Sequence, residues 1–362
     1  MEVVCNTVSE SVARGSETVP VTPLYYRRLS TWDHQKRRLL RLVDRDRIPI
    51  DKYNTQLRKA REGLVPVCER LKPEVAYIDF GRSAVILGPI LAELGIPYVV
   101  HFHGSDITKH LSDPVYRRAL HGVFASAAAL VVASDYMRRL LVLEGAEEQK
   151  IRLVRLGVHL EGVEPLSWEE RVREAPSVAF LGRFAAKKHP LALVEAFRLV
   201  HDTMPAARLS MVGDGEEMRR VRERVERYGL QEAVSLHGSL PRSHALAIVN
   251  RSWVYAQHSV TARDGDTEGF GVSLAEAARL GLPVVSTFHN GIPEQVIHDH
   301  TGYLVTEHDF ETMASYIEKL LRSPEQCREM GERGRARIEA TYRTDRRVEE
   351  IDGILRAAAG RH

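Results

Sequence analysis

Residues 253–296 read WVYAQHSVTARDGDTEGFGVSLAEAARLGLPVVSTFHNGIPEQV. An apolar run, 253–259, gives way to a polar loop rich in Asp and Gly. A helical pattern opens near Val272 or Ser273 and ends near Leu280, and a second apolar run, 283–288, follows. Strand, loop, helix, strand is the unit from which parallel sheets with helices on both faces are built. The unit recurs to either side. Short apolar runs stand at 74–80 (EVAYIDF), 97–103 (PYVVHFH), 129–134, 151–157, 177–183 (SVAFLGR), 208–215, 234–238 and 302–305. Between them, 191–204 places Leu193, Ala196, Phe197 and Val200 at helical spacing, and 216–228 and 310–321 read the same way. The expected fold class is α/β, as two Rossmann-like halves. Pro165 and Pro176 bracket a charged run within 161–177, the expected linker.

The chain has 362 residues, 44% hydrophobic and 28% charged, which is globular composition. Its net charge of +2 argues against a polyanion binder, so no nucleic acid partner is expected. The longest apolar stretch, 125–133, is far short of the roughly 20 residues a membrane-spanning helix needs. Cys5, Cys68 and Cys327 are odd in number and widely spaced. They match neither a disulfide framework nor a metal spacing, and they suit a reducing, cytoplasmic setting. Charge is nevertheless uneven. Residues 27–61 carry twelve Lys or Arg against four Asp, with Trp32, Leu39, Leu40 and Leu42 among them. A solvated amphipathic helix is one reading; a peripheral contact with an anionic membrane surface or a phosphorylated acceptor is the other.

In the opening stretch, Gly269-Phe270-Gly271 precedes the helix that starts near Val272. Glycines let backbone N–H groups approach a ligand, and a helix start adds unpaired donors and partial positive charge. Glu268 lies just before that start and Glu276 one turn inside, so both can face one ligand. Ser273-Leu-Ala-Glu276 also fits a capping box, in which Glu276 only closes the helix end. In FLGRFAAKKHP (180–190), Arg183, Lys187 and Lys188 follow a strand's carboxyl end, where a pyrophosphate would find charge-assisted hydrogen bonds. VGDGEE (212–217) and His237-Gly238-Ser239-Leu240 are two further glycine-bearing turns after strands.

In the first half, His101 and His103 fall on one strand face by the period of two. H-x-H is also a metal-ligand spacing. A metal-dependent hydrolase would use this pair, but it requires further His and Asp ligands after later strands of a single barrel, and the later His residues His237, His258 and His289 lie in the other half. Asp106 reads as a helix N-cap rather than a base. No G-x-G-x-x-G follows an early strand, which disfavours a dinucleotide oxidoreductase.

Glu268 and Glu276 form an E-x7-E pattern, and EGFGVSLAEAARLGLPVVST followed by GIPEQV resembles the retaining family 4 glycosyltransferases of GT-B fold. QHSVTARDGDTEG is most similar to the bacterial exopolysaccharide branch, with colanic acid and amylovoran enzymes. The resemblance runs over roughly 75 to 360. It implies two Rossmann-like domains facing across a cleft: 1–163 for the acceptor, 164–341 for a nucleotide sugar, and 342–362 as a helix crossing back. It implies transfer of a hexose-type unit with retention, no metal, and no cofactor beyond the nucleoside diphosphate sugar, taken as a UDP-sugar with guanosine the competitor. The acceptor would be a glycan, a lipid-linked sugar or a small molecule. Glu268 would contact donor-sugar hydroxyls and Glu276 the nucleotide ribose. Gly269, Phe270, Gly271 and Val272 would meet sugar and diphosphate through their backbone, and Arg183 and Lys188 would hold the diphosphate. Gly213, Gly238 and Leu240 would hold the base, and His103 would face the donor sugar.

Two departures stand out. The family usually has Gly after the second Lys, where this chain has His189. The family also opens with a strand, a Gly-rich loop and a helix, whereas here no glycine appears before Gly15. The N-terminal domain is therefore expected to lack its first strand and glycine loop, with 2–6 and 18–24 the only early strand-like stretches. That departure keeps open a chain that binds the donor without transferring it.

Overall fold

The structure, a computed structural model, describes residues 3–5, 21–23 and 50–360. Strands β1 (Val3–Cys5) and β2 (Val21–Pro23) pair in parallel as a two-stranded sheet. They fall within the two early stretches expected to be extended. The segment between them, where the family's glycine loop would fall, and most of the basic segment 27–61 lie outside the described residues.

The chain divides into two compact units. The first comprises residues up to Val132, Arg138–Arg152 and Ile351 onward. Its four-stranded sheet has the order β3 (Ala76–Asp79), β4 (Tyr98–His101), β5 (Ala129–Val132), β6 (Ile151–Leu153). Both β3–β4 and β4–β5 are parallel, and β4 and β5 are buried throughout. Helices α1 (Ile50–Leu71), α2 (Gly81–Glu93), α3 (Pro114–Ser126) and α4 (Asp135–Leu143) alternate with the strands. The described end of the basic segment, residues 50–61, is helical.

The second unit comprises Ala133–Met137 and Leu153–Glu350. It contains α5 (Trp168–Arg171), β7 (Ser177–Leu181), α6 (Pro190–Thr203), β8 (Arg208–Val212), α7 (Met218–Arg227), β9 (Val234–Leu236), α8 (Arg242–Arg251) and β10 (Val254–Ala256). After these come α9 (Val272–Arg279), β11 (Val284–Thr287), β12 (Gly302–Val305), α10 (Phe310–Leu321) and α11 (Pro324–Thr341). The last helix, α12, spans Thr344–Ala358.

The second sheet is all parallel, in the order β12-β11-β10-β7-β8-β9. Strand periodicity explains why these runs are apolar throughout. On β7, Val178 and Phe180 enter one core with Phe197, Leu209, Met211 and Ile317; Ala179 and Leu181 enter the other with Tyr255, Leu246 and Leu274. Nearly all residues of β7, β10, β11 and β12 are buried, so regular alternation with polar residues is absent there, whereas β8 and β9 carry the exposed Arg208 and Ser235. Chain order reverses between β7 and β10, and in such sheets ligands bind outside the strand carboxyl ends at that switch point.

The expected linker is not irregular throughout. α5 sits inside it, opened by Ser167 and Glu170 in a capping box. Its Arg171 is buried and donates to the Asn250, Leu280 and Gly281 carbonyl oxygens at the ends of α8 and α9. Burial lowers its pKa to about 10. Among the described residues, no helix is long and apolar enough to cross a membrane.

Candidate active site

At the switch point the loop after β7 carries Lys187 and Lys188, and the loop after β10 carries Glu268. Lys188 Nζ lies 2.6 Å from Glu268 Oε2 and 3.2 Å from Gln257 Oε1. Gln257 is itself fixed: its Oε1 accepts from the Tyr255 hydroxyl at 3.2 Å and its Nε2 donates to Ser259 at 2.8 Å. Lys187 turns the other way, to Asp266 Oδ1 at 3.1 Å and the Thr267 carbonyl at 3.2 Å. Burial alone would raise the Glu268 pKa, but Lys188 and Lys187 hold it below the usual carboxylate range. Glu268 is therefore an ionised acceptor at neutral pH.

Its backbone is held too. The Glu268 N–H donates to His289 Nε2 at 3.1 Å, and His289 Nδ1 lies 2.6 Å from Glu307 Oε1. Because Nε2 accepts, it is Nδ1–H that donates to the Glu307 carboxylate. Glu307 also accepts from the Thr261 N–H at 2.9 Å, so this pair ties down both ends of the 261–268 loop.

Helix α9 begins as the glycines predict. Gly271 is its N-cap, in the left-handed region at φ 82°; among the described residues no side chain caps the start, and the Leu274 N–H donates to the Gly271 carbonyl at 3.0 Å, so the amides a ligand could meet are the first ones of the helix. The capping-box alternative for Glu276 is overturned. Ser273 lies inside the helix with its hydroxyl 2.9 Å from Tyr255 Oη, and the Glu276 carboxylate pairs with Arg242 at the start of α8. Burial pushes the Glu276 carboxyl above the usual range, and Arg242 draws it back.

The remaining turns converge beside Lys188. The Gly213 N–H donates to the Gly238 carbonyl at 2.8 Å, joining the ends of β8 and β9. Gly213 has φ 128°, and a Cβ there would collide with the Gly182 carbonyl oxygen, so only glycine fits. Leu240 and Val272 are exposed, whereas Phe270 is buried against Tyr342. Phe270 can therefore offer a ligand its backbone, not its ring. Arg183 is not drawn into the cluster: it is exposed and pairs with Glu216 at 3.0 Å. His189 keeps a left-handed backbone, φ 39° and ψ 55°, at the position where glycine was expected. That backbone region is one glycine adopts readily and other residues seldom do.

In the first unit, His103 Nε2 lies 2.8 Å from Asp79 Oδ1, and His101 Nδ1 lies 2.7 Å from the Tyr77 hydroxyl. Asp79, His101 and His103 bring one ligand atom each within 4.8 Å of one another. Of the later histidines weighed for the hydrolase reading, His289 is engaged as described and His258 Nε2 accepts from the His308 N–H at 2.8 Å, while His237 is exposed. Asp106 is not an N-cap. It is the third residue of a 3-10 turn, and its carboxylate accepts from the His103 N–H at 2.9 Å. Phe80, half-exposed with its ring centroid 4.2 Å from that of His103, adopts φ 73°, a rare conformation for a bulky residue.

Comparison with known proteins identifies the family. Residues 167–337 match the family described as "Glycosyl transferases group 1", and residues 2–157 match "Glycosyl transferase 4-like domain". A putative colanic acid biosynthesis glycosyltransferase, WcaL of Escherichia coli K12, is 29% identical over 80% of this chain and 72% of its own. The amylovoran biosynthesis glycosyltransferase AmsK of Erwinia amylovora is 25% identical over 86% and 77%. A GDP-mannose-dependent mannosyltransferase of Mycobacterium tuberculosis is 27% identical over 78% and 76%. Among solved structures, sucrose-phosphate synthase of Thermosynechococcus elongatus superposes with TM-score 0.73 at 21% identity, covering 86% of this chain and 80% of that one. HepE of Anabaena, solved with UDP-glucose, gives TM-score 0.72 at 16% identity, covering 94% and 86%. The chain belongs to the glycosyltransferases of GT-B fold that these two family models describe, and it is an enzyme of hexosyltransferase type.

Proposed function

We propose that this glycosyltransferase moves a sugar from a nucleoside diphosphate donor to a glycan, lipid-linked or small-molecule acceptor in exopolysaccharide assembly, with retention of configuration. The observation that carries the reading is the Lys188–Glu268 pair beside the uncapped start of α9, at the switch point of the second sheet. In this reading Lys188 and Arg183 take the negative charge that grows on the diphosphate as its bond to the sugar breaks, and the α9 amides add to them. The acceptor oxygen bonds to the anomeric carbon on the face the diphosphate leaves, and its proton passes to the departing phosphate oxygen. No protein nucleophile enters.

Glu268 accepts hydrogen bonds from donor-sugar hydroxyls and Glu276 from the ribose. The backbone around Gly213, Gly238 and Leu240 holds the base, and His103 meets the donor sugar. Uridine is the base this reading adopts; the mycobacterial relatives make guanosine its competitor. A lipid-linked acceptor would bring the enzyme to a membrane surface, with the basic segment 27–61 as the contact. Thermal stabilisation by a panel of nucleotide sugars tests the reading. One UDP-sugar at 100 times its dissociation constant should add about 2.7 kcal/mol of stability. Absence of stabilisation by every donor would overturn it. Stabilisation without transfer to any acceptor would identify a binding protein instead.

A further inference from the structure

Glu276 is 4% exposed, yet its carboxylate is only half satisfied. Oε1 pairs with the Arg242 guanidinium, while Oε2 is buried with no hydrogen-bond partner among the described residues. Arg242 is 42% exposed at the start of α8, on a different helix from Glu276. The other titratable or charged groups that act on Glu276 are Glu161, which repels the charge, Lys188, which attracts it, and the Tyr255 phenol. None of these supplies a hydrogen bond to Oε2, and the Tyr255 hydroxyl is committed to Leu181, Gln257 and Ser273. A purely structural buried ion pair gains little unless its remaining lone pairs are satisfied. An orphaned buried acceptor costs free energy in the unliganded protein. A ligand that brings hydroxyl donors removes that cost.

We propose that Arg242 is a positioning residue of the donor site: by engaging Oε1 it orients the Glu276 carboxylate so that Oε2 is left to accept from the vicinal hydroxyls of the nucleotide ribose. This rests on the reading of Glu276 given above. Burial disfavours the charged carboxylate and Arg242 opposes that effect. Without the guanidinium, the protonated form becomes more populated as pH falls, and a protonated carboxyl is a poorer acceptor.

The test is donor KM and kcat of Arg242→Gln, Arg242→Lys and Glu276→Gln between pH 5 and 9. Arg242→Gln should raise donor KM about tenfold at the acid end, the size of one charge-assisted hydrogen bond. That loss should shrink as pH rises, with kcat at saturating donor little changed. Arg242→Lys should recover most of it, and Glu276→Gln should raise KM at every pH. Arg242→Met carries the same test if the glutamine variant fails to fold. A wild-type KM for the neutral Arg242 variants, or a KM raised equally at every pH, overturns the proposal for Arg242 alone. A wild-type KM for Glu276→Gln overturns the reading of Glu276 itself.

Discussion

Lys188 and Glu268 stand eighty residues apart in the chain and meet at 2.6 Å, each about nine-tenths buried. Removing the cation alone would leave a carboxylate in a poorly solvated place, at a cost of about 3 kcal/mol. Lys188→Ala is expected to lower Tm, and adding Glu268→Ala to recover part of that loss. The Glu268 pKa is held below its ordinary value, so the stability it contributes is present above pH about 4.3 and is lost as pH falls through the depressed value. The Tm difference between wild type and Lys188→Ala should therefore narrow in acid. Turnover of Lys188→Ala should fall roughly 10²–10³-fold, the effect of losing one preorganised transition-state donor.

Glu276 carries the opposite sign. Its folded pKa is raised, so the folded state binds this proton more tightly than the unfolded one. Stability then falls as pH rises through the window between the two values, and the ionised group costs stability at neutral pH. Glu276→Gln is expected to keep or raise Tm at pH 7 while donor binding weakens. An early melt with normal transfer would make Glu276 a structural residue.

Arg183 tests charge without burial. Its side chain is 73% exposed and its pair with Glu216 is a surface pair, worth little to stability. Arg183→Ala should leave Tm unchanged and still lower turnover roughly 10²-fold. Normal turnover would remove Arg183 from the site.

Much of this was legible in the sequence because burial on both sheet faces leaves continuous apolar runs. All ten runs from 74–80 to 302–305 contain strands. Helix α11 is not legible as an amphipathic stretch because charged and small residues outnumber its apolar ones. It packs through Cys327, Met330, Gly331, Gly334 and Ile338, and a Cβ on Gly331 would collide with the Gly281 carbonyl oxygen. Small residues at close approach leave little hydrophobic signal. Glu268, Gly269, Gly271 and Glu276 are readable because they lie in one segment. Arg242 and Gln257 were not singled out because their partners come from other elements, and no spacing encodes such a pairing. His289 and Glu307 were opaque for the same reason, joined only once β11 and β12 pair.

His289 therefore supplies an independent check. Its replacement by Phe would strip an acceptor from the Glu268 N–H and a donor from Glu307, each loss costing about 1–3 kcal/mol if the group stays buried. His289→Phe should lower Tm and raise donor KM, since the loop that carries Glu268 loses its tether. A lowered Tm with unchanged KM would confine His289 to stability.

Transfer on the face the diphosphate leaves, as proposed for Lys188, Arg183 and the start of α9, retains the donor's anomeric configuration. Proton NMR of the first product formed from an α-linked nucleotide sugar measures the outcome directly. The expected product carries an α linkage; a β linkage would mean inversion and would overturn the proposed transfer.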